Sequence, residues 1–255
     1  MNAASPNARI VDTARPLQWL ARGWRDFLAV GWPSVAHGVA VTAGGWVILA
    51  VTLVFWPLLP GAFSGFVLIA PILATGLYEL SRLRGLGRPA EFSGAVAAWR
   101  RGTRPLVQLG LLLLAAATAW VLVSALMFGL FVNERLATPA EFLRYVLVSQ
   151  GDGLFMLWLI LGGLGSAVVF SLTAVSVPLL LDRDVALRPA LLASVRAVGD
   201  NPVAMALWAG IILAATMLSL ATGLLGFIVT IPLIGHATWH AYLDLVDTDG
   251  LPLRR

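Results

Sequence analysis

The chain has 255 residues, of which 59% are hydrophobic and only 12% charged, and its mean hydropathy is +0.88. The surface of a soluble domain needs roughly a quarter charged residues, so this composition excludes a soluble protein and indicates a membrane protein. The net charge is +4 and all 17 basic residues are arginines, but they lie beside apolar segments, which favours membrane topology over nucleic-acid binding.

The polar leader and the first amphipathic segment precede the apolar runs. Residues 1–14 predict a disordered leader, residues 15–247 a single transmembrane domain and residues 248–255 a tail. Within the first segment, one helical face is apolar and the opposite face is charged. The apolar face holds Leu17, Leu20, Trp24, Phe27 and Leu28, and the charged face holds Arg22, Arg25 and Asp26.

Six apolar runs follow, each about 20 residues or longer and without the alternation typical of strands. As helices they are long enough to cross about 30 Å of hydrocarbon. The runs are residues 33–56, 62–81, 105–132, 153–181, 202–222 and 224–243. The last two are separated only by the turn at residues 221–226, so five spans is the alternative interpretation.

The arginines decide between these two topologies, because positive residues that flank spans are retained in the cytoplasm. Fifteen of the 17 arginines lie on one predicted side, and only Arg135 and Arg144 lie in the opposite loops. Both termini are therefore predicted to be cytoplasmic, which requires an even number of spans. The sequence predicts six spans in the bacterial inner membrane.

A repeated arrangement precedes the first, third and fifth spans. Residues 15–33, 88–105 and 188–202 each contain a short amphipathic segment, an arginine, a polar turn and a proline that opens the span. The predicted fold is an all-α polytopic membrane helix bundle, with six transmembrane helices in three parallel hairpins and cytoplasmic interfacial amphipathic helices. A short external helix is also predicted after Thr138, between the third and fourth spans.

Polar side chains inside the spans are the first candidates for function, because an unpaired one costs about 3 kcal/mol in hydrocarbon. His236 and His240 are one helical turn apart on the same face of the last span. The other candidates lie at a similar depth from the cytoplasmic ends, which predicts a polar cavity that faces the cytoplasm. The candidate ligand-binding residues are His37, Tyr78, Glu79, His236, Trp239 and His240.

Three roles remain open for these residues. His236 and His240 could together hold a metal ion, or His37 and His236 could bind a haem from two helices. Alternatively, pairs such as Glu79 with His240 or His37 could fix the helix register, which is the favoured interpretation. With no cysteine in the chain, thiolate metal sites and cysteine nucleophiles are excluded.

Five sequence stretches resemble an uncharacterised family of bacterial integral-membrane proteins, a domain of unknown function sometimes labelled cytochrome c oxidase subunit I-like. The stretches are "GWRDF", "ATGLYELSR", "SVPLLLDRDV", "SVRAVGDNP" and "GHATWHAYLDLV", and the resemblance extends over about residues 17–246. It implies an inner-membrane protein of six helices.

No phosphate-binding loop, nucleophile elbow or paired catalytic carboxylate is present. The sequence therefore favours a non-enzymatic accessory or scaffold protein whose partners are the lipid bilayer and other membrane proteins. A small-solute transporter with a cytoplasm-facing cavity is the first alternative, and a haem- or metal-binding redox accessory is the second.

Overall fold

The computed structural model describes residues 6–55, 62, 73–100, 102–131 and 153–254. Half of the second predicted span, residues 63–72, and the predicted external helix after Thr138 lie outside these residues. Within them the chain is almost entirely helical, so the predicted all-α membrane class is confirmed.

The described helices fall into a shorter and a longer group. The shorter helices are α1 (Arg15–Val30), α3 (Thr75–Gly85), α4 (Phe92–Arg100), α7 (Ser176–Asp182) and α8 (Leu187–Asp200). The longer helices are α2 (Trp32–Val54), α5 (Arg104–Phe131), α6 (Leu154–Thr173), α9 (Pro202–Ala221) and α10 (Phe227–Leu245). Two short strands, β1 (Asn7–Ala8) and β2 (Val246–Asp247), flank the helices in the sequence.

Among the described residues, four segments are long and apolar enough to cross a membrane. These candidate spans are Trp32–Val51, Arg104–Leu130, Leu154–Asp182 and Pro202–Ala221. The third includes both α6 and α7, which are separated at Ala174 and Val175. Pro178 explains this break, because its ring clashes with the carbonyl four residues earlier and removes one helical hydrogen bond.

Three of the long helices directly follow an amphipathic helix. Gly31 separates α1 from α2, and Asn201 separates α8 from α9. Helix α4 ends at Arg100 and α5 begins at Arg104. Gly31 has a φ of 66°, which a glycine adopts without steric cost. The arrangement of amphipathic segment, turn and proline that the sequence repeats three times thus corresponds to three pairs of short and long helices.

The described chain divides into two compact units. The first comprises Met1–Ala43, Pro71–Gly110 and Phe170–Arg255, and the second comprises Gly44–Ala70 and Leu111–Val169. In the second unit, the Trp158 indole N–H donates to the Ser124 hydroxyl at 2.9 Å. Its ring stacks on Trp120 with centroids 5.7 Å apart. These contacts join the α5 and α6 segments of this unit.

In the first unit, α10 is the central helix, and glycines allow its neighbours to approach closely. A Cβ on Gly23 of α1 would lie 2.6 Å from the Ala237 nitrogen, and one on Gly235 would lie 2.6 Å from Leu77 of α3. A Cβ on Gly38 of α2 would overlap the backbone of Ile228. Small residues at such positions permit the backbone contact on which packing between membrane helices depends.

The two ends of the described chain are joined in the first unit. Strands β1 and β2 pair antiparallel, with Asn7 opposite Asp247. The Asn201 side chain accepts a hydrogen bond from the Val11 backbone at 2.8 Å and donates one to the Arg9 carbonyl at 3.0 Å. Residues 6–14 are thus bound to the rest of this unit, whereas the sequence predicts a disordered leader over residues 1–14. The sequence does not reveal this binding, because the hydrogen-bond partners lie in distant segments of the chain.

The C-terminal segment is bound to the end of α7. Arg183 donates to the Leu251 carbonyl at 3.0 Å and to the Thr248 hydroxyl at 3.1 Å. The Tyr242 hydroxyl donates to Asp182 at 2.8 Å, so α10 contacts the same site. Residues 248–255, which the sequence predicts only as a tail, are therefore attached to this unit through Thr248 and Leu251.

Helix α1 is oriented differently from the sequence prediction. Its exposed side chains include Leu17, Trp24 and Leu28 of the predicted apolar face, whereas Phe27 is buried. Asp26, which the sequence places on the charged outer face, is also buried, with 3% of its surface exposed. The assignment of Asp26 to the exposed face is therefore wrong. Asp26 can be buried because side chains of other helices donate hydrogen bonds to its carboxylate.

Candidate functional site

Polar side chains from α1, α2, α3 and α10 meet inside the first unit. We call this group the Asp26 cluster. Its members are Asp26, Ser34, Ser81, Arg84, His236 and His240. His236 and Ser34 are fully buried, and Asp26 and Ser81 are almost fully buried. A polar group in this environment needs an internal hydrogen-bond partner.

His236 lies between two serine hydroxyls. Its Nε2 atom is 2.8 Å from the Ser34 Oγ, and its Nδ1 atom is 2.7 Å from the Ser81 Oγ. The Ser81 hydroxyl donates to the Asp26 carboxylate at 2.7 Å, so it accepts its other bond from His236 Nδ1–H. A neutral His236 then accepts at Nε2 from Ser34, and the hydrogen bonds run in one direction from Ser34 to Asp26.

Three side chains, including Ser81, interact with the Asp26 carboxylate. In addition to Ser81, it is 3.0 Å from His240 Nε2 and forms an ion pair with Arg84. Burial alone would raise the pKa of this carboxyl, but hydrogen bonds from His240 and Ser81 outweigh burial and hold the pKa below its ordinary value. Asp26 is therefore the anionic centre of the cluster, at the junction of α1, α3 and α10.

The other predicted residues of α2 and α3 lie beside the cluster. His37 Nδ1 donates to the Pro33 carbonyl at 2.7 Å, and the His37 ring lies 5.7 Å from the Phe92 ring. Glu79 is buried and accepts two hydrogen bonds from Arg82, at 2.7 and 3.0 Å. Tyr78 is buried against Thr238.

The pairing of the last span's histidines differs from the predicted one. His240 faces Asp26, whereas the sequence offers Glu79 as its partner. Trp239 points to another side of α10, where its ring is 5.2 Å from that of Tyr242. The structure thus brings His236 and His240 together through Asp26, and it packs Trp239 in a separate contact.

A second carboxylate joins α10 to α1. Asp244 accepts hydrogen bonds from Arg15 at 2.7 Å, from the Trp19 indole at 2.8 Å and from Arg22 at 3.3 Å. Trp19 is fully buried, so its indole N–H depends on this acceptor. Together with the Asp26 cluster, Asp244 fixes α1 along the second half of α10.

Sequence reasoning missed Asp26, Ser34 and Ser81 as site residues. One signal was available for Asp26, which is the only acidic residue in α1. Ser34 and Ser81 carry no comparable signal, because single serines near span ends are common and their role depends on the third helix that contacts them. Their contribution is visible only from the packing of α2 and α3 on α10.

The arrangement has consequences for metal or haem binding. Among the described residues, no group of three or more histidine or carboxylate side chains is placed to hold a metal ion. Both ring nitrogens of His236 are engaged by serines, and His240 Nε2 faces Asp26. In this arrangement the two histidines do not present free nitrogens to a common ligand. What the cluster can do chemically is hold a buried charge and order hydrogen bonds.

Comparison with known proteins finds a family model that matches part of the chain. Residues 58–182 match the family model described as "Predicted integral membrane protein (DUF2189)". This segment, slightly under half of the chain, is similar to that family. The DUF2189 match confirms the resemblance to an uncharacterised family of integral membrane proteins, over a shorter range than the sequence stretches indicated. Comparison with curated proteins and with solved structures gives no match.

The DUF2189 segment contributes only part of the cluster. Ser81 and Arg84 of α3 lie inside the matched range, whereas Asp26, Ser34 and His236 lie outside it. The cluster therefore links the DUF2189 segment to the helices that precede and follow it.

Proposed function

We propose that this protein is a non-enzymatic accessory or scaffold protein of the bacterial inner membrane, which acts by packing against lipids and other membrane proteins. One observation carries the proposal. The polar groups of the Asp26 cluster satisfy one another inside the protein, as His236 does with Ser34 and Ser81. By contrast, the candidate spans expose many large apolar side chains, including Leu111, Leu164 and Leu213.

The proposed topology has six spans in three parallel hairpins, with both termini in the cytoplasm. Pairing of β1 with β2 supports it, because ends that pair lie on one side of a membrane and require an even number of crossings. Helix α10 has 19 residues and is about 28 Å long, which matches the hydrocarbon core. The mean hydropathy of α10 is lower than that of the other long helices, which is consistent with a span whose polar groups face other helices.

The scaffold function is tested by purification of the full chain from native membranes in mild detergent, after brief cross-linking. We expect a stoichiometric membrane-protein partner that is identified by mass spectrometry. The same complex should be recovered when the partner carries the affinity tag. Partner-free protein whose thermal stability rises with one small solute would contradict the scaffold function.

The topology is tested by cysteine labelling, since the native chain has no cysteine. A Ser149→Cys variant should react with a membrane-impermeant maleimide in intact cells, because residue 149 lies in a predicted outer loop. The matched Ser93→Cys variant, in the predicted cytoplasmic region, should react only after the cells are opened. Labelling of Ser93→Cys in intact cells would exclude the proposed orientation.

One observation favours a second candidate function, a small-solute transporter coupled to protons. The hydrogen bonds from Ser34 through His236 and Ser81 to Asp26 run in one direction, as in chains that pass protons inside membrane proteins. This function requires solute-dependent proton uptake by proteoliposomes that contain the protein. Ser81→Ala would have to abolish the uptake, with Ser93→Ala as the matched control.

A further inference from the structure

The outer face of α8 combines apolar and basic side chains. Leu192 and Val195 are among its exposed large apolar residues, and Arg188 and Arg196 are also exposed. Arg188 precedes Leu192 by four residues and Arg196 follows it by four, so these three side chains lie in one row along the helix. The two arginines are separated by about 12 Å along the axis. We call Arg188, Leu192, Val195 and Arg196 the α8 face.

The opposite side of α8 fixes this orientation. Ala190, Ala193 and Ala197 are buried, and the buried Ser194 hydroxyl accepts a hydrogen bond from the Val175 backbone at 3.2 Å. Because the small residues pack inward, the larger apolar side chains must point outward. An isolated soluble helix would bury Leu192 in preference to an alanine, so this pattern indicates an apolar environment outside the protein.

The position of α8 identifies that environment. Only Asn201 separates α8 from α9, which is one of the candidate spans. The first turn of α9 also exposes an apolar side chain, Val203. A helix with exposed leucine and valine, flanked by arginines and joined to a span, has the properties of a helix that lies in the membrane interface.

The positive charges of the α8 face indicate which type of lipid it can bind. Within the part of the chain that the structure describes, neither Arg188 nor Arg196 belongs to an ion pair. By contrast, Arg9, Arg15 and Arg183 each pair with a carboxylate. The guanidinium groups of Arg188 and Arg196 can therefore bind phosphate oxygens in a bidentate manner, while their alkyl stems lie on apolar surface.

We propose that the α8 face binds anionic phospholipid, with the headgroup phosphates on Arg188 and Arg196 and the acyl chains against Leu192 and Val195. This inference rests on the proposed function, because it names the lipid class against which the accessory protein packs. It does not require the protein partner, so the two can fail separately.

The test is native mass spectrometry of the detergent-purified full chain, titrated with phosphatidylglycerol or with phosphatidylcholine of the same acyl chains. The wild-type protein should prefer phosphatidylglycerol, and this preference should weaken when the ionic strength is raised before lipid addition. Each arginine near an anionic surface contributes an affinity factor of about five, so Arg188→Gln/Arg196→Gln should lose roughly 25-fold.

The control is Arg9→Gln, which removes one positive charge from an arginine that already pairs with Asp247. It should change the lipid preference by less than about twofold. Circular dichroism of each variant verifies that the exposed substitutions leave the helices folded.

Three outcomes would overturn the inference. They are equal affinity for the two lipids, an anionic preference that the double variant retains, and coverage of the α8 face by a co-purified protein that excludes lipid. If the anionic preference is found and no protein partner is recovered, the α8 inference stands and the protein-scaffold function fails. If a partner is recovered without any lipid preference, the reverse holds.

Discussion

Ser81→Ala is the most informative perturbation of the Asp26 cluster, because one hydroxyl serves two buried partners. Its removal deprives the Asp26 carboxylate of a donor at 2.7 Å and the His236 Nδ1–H of an acceptor at 2.7 Å. A hydrogen bond to a charged group contributes about 1.5–3 kcal/mol and one between neutral groups about 0.5–1.5 kcal/mol. Their sum gives an expected loss of about 2–4.5 kcal/mol in the free energy of unfolding.

The membrane environment sets a lower limit for this loss. Hydrogen bonds between membrane helices average about 0.6 kcal/mol, because the unfolded chain also finds partners in the bilayer. Two such bonds give a floor of about 1 kcal/mol. For a chain of this length, about 1–4.5 kcal/mol corresponds to a decrease of roughly 2–18 °C in the midpoint of thermal unfolding.

The assay is thermal unfolding of purified protein in detergent, followed by circular dichroism. The matched control is Ser93→Ala, since Ser93 is exposed and its hydrogen bond to Glu91 is long, at 3.3 Å. This control should stay within about 0.5 kcal/mol of the wild type. The Ser81→Ala/Ser34→Ala double variant should show a coupling of at least about 0.5 kcal/mol, because both hydroxyls contact His236. Equal midpoints for Ser81→Ala and Ser93→Ala would refute this account of the cluster.

Three further predictions concern other contacts of the first unit. Gly23→Ala should destabilise the protein by about 1–3 kcal/mol in thermal unfolding, because its Cβ would overlap the α10 backbone. The control Gly199→Ala, which meets nothing within 4 Å, should be neutral or stabilising by up to about 1 kcal/mol. Because the pKa of Asp26 is lowered in the folded protein, the ionised carboxylate stabilises the fold above the ordinary carboxyl pKa of about 4, and this stabilisation is lost as the pH falls through the lower folded pKa. The Asp26→Asn variant should therefore show a smaller decrease of the unfolding midpoint in acid than the wild type. Asn201→Ala should accelerate amide hydrogen exchange at Val11, since it removes the acceptor of that N–H.

Each of these predictions has a contrary outcome. Gly23→Ala would contradict the close packing of α1 on α10 if it stabilised the protein as much as Gly199→Ala does. An identical pH dependence below pH 4 for wild type and Asp26→Asn would mean that Asp26 does not contribute to acid sensitivity. Unchanged exchange at Val11 in Asn201→Ala would show that the N-terminal segment is ordered by other contacts.

The membrane class and most helices could be predicted from the sequence, because they depend on local properties. Uninterrupted apolar runs indicate long helices, and Pro105 and Pro202 mark where two of them begin. The amphipathic helices were predicted for the same reason, since their periodicity is local. The inward face of α1 was not, because the burial of Asp26 depends on donors from α3 and α10 that no pattern within α1 reveals.

The candidate site shows the same division. The sequence predicted His236 and His240 as functional candidates because polar residues are rare in spans, and the structure connects both to Asp26. It could not assign their partners, since Ser34, Ser81 and Arg84 lie on two other helices. The pairing of β1 with β2 was equally inaccessible, because the strands have two residues each and are separated by almost the whole chain.

We expect the buried members of the Asp26 cluster to be closed to water, because their hydrogen bonds are satisfied inside the protein. The most direct measurement is the rate at which a water-soluble maleimide labels single cysteines in the otherwise cysteine-free chain. We predict that Ser34→Cys and Ser81→Cys, at buried positions, remain unlabelled in folded protein, whereas the exposed Ser93→Cys reacts rapidly. Labelling of Ser34→Cys and Ser81→Cys at the rate of Ser93→Cys, in protein that is still folded, would contradict the closed cluster.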